Sequence, residues 1–154
     1  MTQDTLNTLI EKLGKEIGIE GLSLDEDGFC CLAFDEKITV NIQYEESENN
    51  VIFFAEVGIV SPKEQAETFP LLLEANLLTI GTQGATLGAE RETGSVLLSL
   101  RVPVSTLDYA AFHKSLETFV NTAEIWIDRL EKGPAVEKGQ DDSFDPESTG
   151  SIKA

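Results

Sequence analysis

Histidine is almost missing from this sequence of 154 residues: His113 is the only one. A Ser-His-Asp or Cys-His arrangement would have to be built on that residue alone. It falls in the first turns of a long amphipathic segment, beside Tyr109, Phe112 and Lys114, where a half-exposed helical position is the simple reading. Cysteine is scarce as well. Cys30 and Cys31 are adjacent, and neighbours on a strand point to opposite faces, so the two are badly placed to bridge each other. Both read as small side chains in a reducing compartment, with no cationic neighbour to activate a thiolate. A zinc site needs several Cys or His at ligand spacing, and the sequence offers none.

Cationic charge is also short. Eleven Lys and Arg face 28 Asp and Glu, for a net charge of −17. A chain so acidic is repelled by phosphate backbones and anionic lipid head groups, which argues against nucleic-acid and membrane-surface binding. Residues 133–154 hold five acidic and two basic side chains, so −14 of the charge belongs to residues 1–132. No apolar run reaches the eighteen residues of a membrane span. The start, Met1-Thr2-Gln3-Asp4, lacks the basic and then apolar order of a secretion signal. A cytoplasmic protein is expected.

Other constellations fail on spacing. Glu45, Glu46 and Glu48 sit together in a polar stretch that reads as a solvated loop, because a general acid needs a carboxyl in an apolar site. Asp141-Asp142-Ser143-Phe144-Asp145 lacks the turn glycine and the closing Glu of a calcium loop. Gly81, Gly84 and Gly88 make no strand-to-helix phosphate cradle. The expectation is a protein without catalytic chemistry, cofactor or metal.

What the chain does have is a 41% apolar composition and clear periodicity, enough for one packed domain. Leu6, Leu9, Ile10, Leu13 and Ile17 form a helical stripe, with Asp4 or Thr5 to cap it and Gly18 to stop it. Three strands follow: Phe29–Phe34, apolar on both faces; Ile38–Tyr44, alternating; and Val51–Val60. Ser61-Pro62-Lys63-Glu64 predicts a capping box opening a second helix, in which Pro70 forces a kink or a restart. Two strands, within 85–92 and 95–102, flank the turn Thr93-Gly94. Ser105 and Asp108, at capping-box spacing, open a last helix that Gly133-Pro134 ends. The order α-β-β-β-α-β-β-α with hairpin-length links predicts an α+β fold, a twisted antiparallel sheet with packed helices. The domain is expected over residues 1–132, and residues 133–154 read as a polar, disordered, acidic tail.

One layer of helices buries one face of a sheet. Phe29, Cys31 and Phe34, with Ile52 and Phe54, then leave large side chains on the far face. Either more helices cover that face, or it binds a protein.

At this point the sequence resembles a family. Leu72-Leu73-Glu74-Ala75-Asn76-Leu77, then Gly81–Gly88, then Thr93–Leu98, and finally Ala123-Glu124-Ile125-Trp126 follow in an order similar to the class I type III secretion chaperones, the CesT or Tir-chaperone family. The likeness covers residues 3–132; the tail and Pro70 depart from it. The resemblance implies a cytoplasmic bacterial homodimer that binds the N-terminal region of secreted effector proteins in extended form, without ATP or metal. It implies partner-binding patches on the first helix and the sheet, at Leu6, Ile10, Leu13, Phe29, Cys31, Phe34, Ile52 and Phe54. It also implies a dimer interface around the second helix and the late strands, at Leu72, Leu73, Asn76, Leu77, Val96 and Leu98. An adaptor of the same fold, binding a folded secretion-apparatus or transcription-regulatory partner, is the alternative. A small enzyme centred on His113 is the third.

Overall fold

The computed structural model describes residues 3–134; the tail expected over residues 133–154 lies outside them from residue 135 onward. The first helix, α1, runs Gln3–Ile17. Its stripe is driven inward: Leu6, Ile10 and Leu13 are at most 2% exposed. Gly18, at φ 80°, ends it.

Strands β1 (Phe29–Phe34), β2 (Ile38–Glu45) and β3 (Asn50–Ile59) form a meander. The β1–β2 turn is tight because Asp35 and Glu36 both take left-handed backbone, the paired positive φ of a two-residue hairpin turn, which Asp tolerates well. Helix α2 spans Gln65–Asn76, and strands β4 (Thr86–Ala89) and β5 (Ser95–Pro103) follow. The sheet order is β1-β2-β3-β5-β4, with every neighbouring pair antiparallel. Helix α3, Tyr109–Lys132, closes the fold. The α+β order read from the sequence is the order observed.

The strand period of two decides the core. Cys30 and Leu32, Ile38, Val40 and Ile42, Val51, Phe53, Ala55 and Val57, Leu87, Val96 and Leu98 all point to one face and are buried. α3 lies across that face. Phe53 packs its ring against Phe112 and Phe119, each at 6.0 Å between centroids in tilted geometry. A register shift between Glu56 and Gly58 marks a bulge. Gly58 lets α3 pack closely there: a Cβ would stand 3.0 Å from Leu130 Cδ1, and Leu130 would have to shift by a few tenths of an ångström.

Several local expectations change. α2 is one helix across Pro70, without a restart. The carbonyl that Pro70 leaves without a donor is that of Ala66, an exposed residue that water can serve. The predicted box at Ser61 forms side chain to side chain, Ser61 Oγ donating to Glu64 Oε2 at 3.1 Å, over a 3-10 turn at Pro62–Glu64. The cap of α3 is Asp108, whose Oδ1 accepts from the Ala111 amide at 2.8 Å. Ser105 belongs to a separate 3-10 turn, Val104–Thr106.

Candidate functional site

The face of the sheet away from α3 stays open. Register sets its pattern: Phe54 stands opposite Asn41 and Ser99, and Ile52 opposite Gln43 and Arg101. Phe29 pairs with Gln43, and Cys31 with Asn41. Phe29, Ile52 and Phe54 are half-buried, Cys31 is exposed, and Leu97 is 43% exposed. Ile52, Phe54, Leu97, Thr86 and Gly88 line a shallow groove there. The Arg101–Glu45 ion pair, 3.0 Å, borders the open face.

The two edges of this sheet differ. On the outer side of β1, Phe29 is satisfied by Asp25, which takes its N–H on Oδ1 and donates to its C=O. Cys31 and Ala33 follow at the same parity, and no strand pairs with that edge among the described residues. On the outer side of β4, Ala85 and Leu87 are both served. Thr82 accepts from the Ala85 amide and donates its hydroxyl to the Ala85 carbonyl. The Asn76 carboxamide accepts from Leu87 N–H and donates to Leu87 C=O, both at 2.8 Å.

The other residues expected to bind a partner are placed differently. Leu6, Ile10 and Leu13 lie in the core, so their side chains present no surface. Their stripe is spent on α3 and the sheet, because a helix on the buried side of a sheet must turn its apolar face to it. Phe34 has even parity and sits on the core side, half-buried, where it lines a small groove with Leu13, Ile17, Leu116 and Val120.

Of the expected interface residues, Leu72, Val96 and Leu98 are core. Leu73 and Leu77 are 72% and 69% exposed. Three further side chains, not anticipated from the sequence, join them: Ile59, Leu78 and Ile80 at 69%, 80% and 73%. The signal was present in the run Leu77-Leu78-Thr79-Ile80, three large apolar side chains in four positions, more than one face of a helix can bury. This run forms a 3-10 segment, Leu77–Thr82, in which Leu78 and Thr79 both take left-handed backbone. For a β-branched residue that is costly, about 1–3 kcal/mol. The resulting apolar knuckle overhangs a concavity of about 340 Å³ between α2 and the end of α3.

His113 is half-exposed and stands 3.9 Å from Glu117. Burial, and then the neighbouring Cys31, push the Cys30 thiol up, away from thiolate. Tyr109 is pushed up to about 12 by desolvation and by its hydrogen bond to Glu16. Among the described residues no group of three or more His, Cys, Asp or Glu could hold a metal ion. No described helix is long and apolar enough to cross a membrane.

Comparison with known proteins agrees with this geometry. The model of the Tir chaperone protein (CesT) family matches residues 8–127. Among solved structures the fold resembles the ExsC–ExsE complex, with a TM-score of 0.69, 25% identity, and coverage of 81% of this chain and 92% of that one. It also resembles the HopA1–SchA chaperone–effector complex, with a TM-score of 0.69, 14% identity, and coverage of 82% and 96%. The ExoT–SpcS complex from Pseudomonas aeruginosa matches with a TM-score of 0.57, 22% identity, and coverage of 80% and 97%. No curated protein matches the sequence.

Proposed function

The chain belongs to the Tir chaperone protein (CesT) family, and on that premise we propose that it is a cytoplasmic type III secretion chaperone. It holds the N-terminal region of one or more effectors in extended form, soluble and competent for secretion. The observation that carries this reading is the open sheet face beside an unpaired edge. An extended chain added along β1 would bond its backbone to Cys31 and Ala33 and lay alternate side chains over Phe29, Ile52 and Phe54. Each contact is shallow, worth about 25 cal/mol per Å² of apolar area buried. Many are therefore needed, which suits a long wrapped client that orders as it binds. The acidic body steers basic client segments and keeps free dimers from aggregating.

The knuckle calls for a different occupant. Five large apolar side chains are 69–80% exposed; Ile59, Leu77 and Ile80 line one concavity, Leu78 lies in the same run and Leu73 one turn before Leu77 on α2, the kind of surface that lone soluble chains avoid. A second copy of this chain covers it in a two-fold homodimer, Leu73 and Leu77 meeting their equivalents and Ile59, Leu78 and Ile80 completing the seal. Solution mass and client capture test both parts. Purified chain is expected to run as a dimer and to retain an unfolded effector leader, with slowed amide exchange at Cys31 and Ala33. Capture of a folded partner as the main species would replace this reading with the adaptor.

A further inference from the structure

We propose that Asn76, Thr82 and Trp126 are positioning residues for self-association, three polar ties that hold the Leu77–Ile80 knuckle in a shape a second copy can dock on. The inference rests on reading that surface as a dimer face.

Left to its own propensity, α2 has no reason to stop at Asn76. Leu73, Leu77 and Ile80 lie at spacings of four and three, so a longer helix would carry them on one stripe. Instead the chain turns back through Leu78 and Thr79 in left-handed backbone. It returns so closely that a Cβ on Gly81 would stand 2.9 Å from Ala75 Cα. Such a conformation persists only where its surroundings over-determine it. Apolar burial does not do this, since Leu77, Leu78, Thr79 and Ile80 are all exposed.

Hydrogen bonds do. Asn76 locks the end of α2 to β4 through both backbone groups of Leu87. Thr82, fully buried, locks the far end of the knuckle to Ala85, and its single hydroxyl proton is shared between the Ala85 carbonyl and, at 3.3 Å, that of Thr79. The Trp126 indole donates from α3 to the Gly81 carbonyl at 3.0 Å. Each tie is directional and ends on backbone, so each fixes where the knuckle points rather than how much apolar area it offers. A surface fixed before contact avoids an ordering cost on association.

A double-mutant cycle between Asn76→Ala and Leu77→Ala, read by sedimentation equilibrium, tests this. Asn76→Ala is expected to weaken self-association about tenfold, and to weaken it much less in the Leu77→Ala background, where the positioned group is gone. Amide exchange should accelerate over residues 77–82 and stay unchanged in β1–β3. A merely structural role predicts additive effects, and an additive cycle in a dimeric wild type overturns this inference while leaving the dimer intact. A monomeric wild type overturns the dimer reading and this inference with it. Trp126→Phe, which keeps the ring and drops the donor, carries the same cycle where Asn76→Ala fails to fold.

Discussion

On the open sheet face Phe54 stands between Asn41 and Ser99, and Ile52 between Gln43 and Arg101. On the knuckle Leu77, Leu78 and Ile80 stand clear of the body, with only Thr79 among them. The two surfaces are apolar in different ways. Strand pairing forces alternation on the first, so each large side chain has a polar neighbour across the strand and is half-covered by it. The free molecule tolerates such a face. The knuckle has no such dilution, and water meets most of each side chain. A surface of the first kind suits a partner that comes and goes. One of the second kind suits a partner that stays, as interfaces of permanent complexes are the more apolar.

The sharpest way to break this comparison is to charge the knuckle. Leu77→Glu with Leu78→Glu is expected to weaken self-association by more than about a hundredfold, because carboxylates would be buried without partners. Analytical ultracentrifugation reads it, and an unchanged dimer would move the interface elsewhere. The fold itself should hold, since neither side chain contributes to the core.

A smaller effect separates core from binding surface on α1. Ile10→Ala is expected to cost about 2–5 kcal/mol of unfolding free energy, as a large side chain leaves a fully buried site. Under conditions where the variant remains folded, client affinity should be unchanged. A normal denaturation midpoint with lost client binding would return the α1 stripe to the partner-binding surface.

The smallest effect falls on the open face. Phe54→Ala is expected to weaken client capture about tenfold, the measure of one half-buried ring, while the dimer is unaffected. Calorimetry with an effector leader checks this. Equal losses from Phe54→Ala and Leu77→Ala in both assays would erase the distinction between the two surfaces.

Much of the fold was legible because the local signals agree with one another. The short polar turn after β1, the alternation through Val51–Val57 and the stop at Gly133 are each set by residues within a few positions and stand where the sequence put them, whereas Ile59, at the same parity as Phe53, Ala55 and Val57, is turned out to 69% exposure past the bulge. Pro70 left a kink or a restart open, and α2 continues across it as one helix, the carbonyl that loses its donor belonging to the exposed Ala66. Ser105 misled because Asp108 is the better-placed acceptor for the first turn of α3.

The candidate surfaces were half legible. Parity separates Phe29, Cys31, Ile52 and Phe54 from Phe34, yet a strand apolar on both sides hides which face the helices take. For α1 the stripe was plain and its use was not: the same five residues serve a core or a groove equally well. Nor does spacing say that Leu72 faces in and Leu73 out. That follows from where β4 and α3 lie against α2.

Periodicity, charge and a bare catalytic inventory were thus determined by the sequence alone, because each is a property of neighbouring residues or of simple counts. They gave an acidic α+β domain whose element order resembles the secretion chaperones. Tertiary structure decided which apolar residues remain for a partner, because exposure depends on every element packed around a side chain. It also decided the path of Leu77–Ile80. That path is held by Asn76, Thr82 and Trp126, and the last of these lies more than forty positions away along the chain.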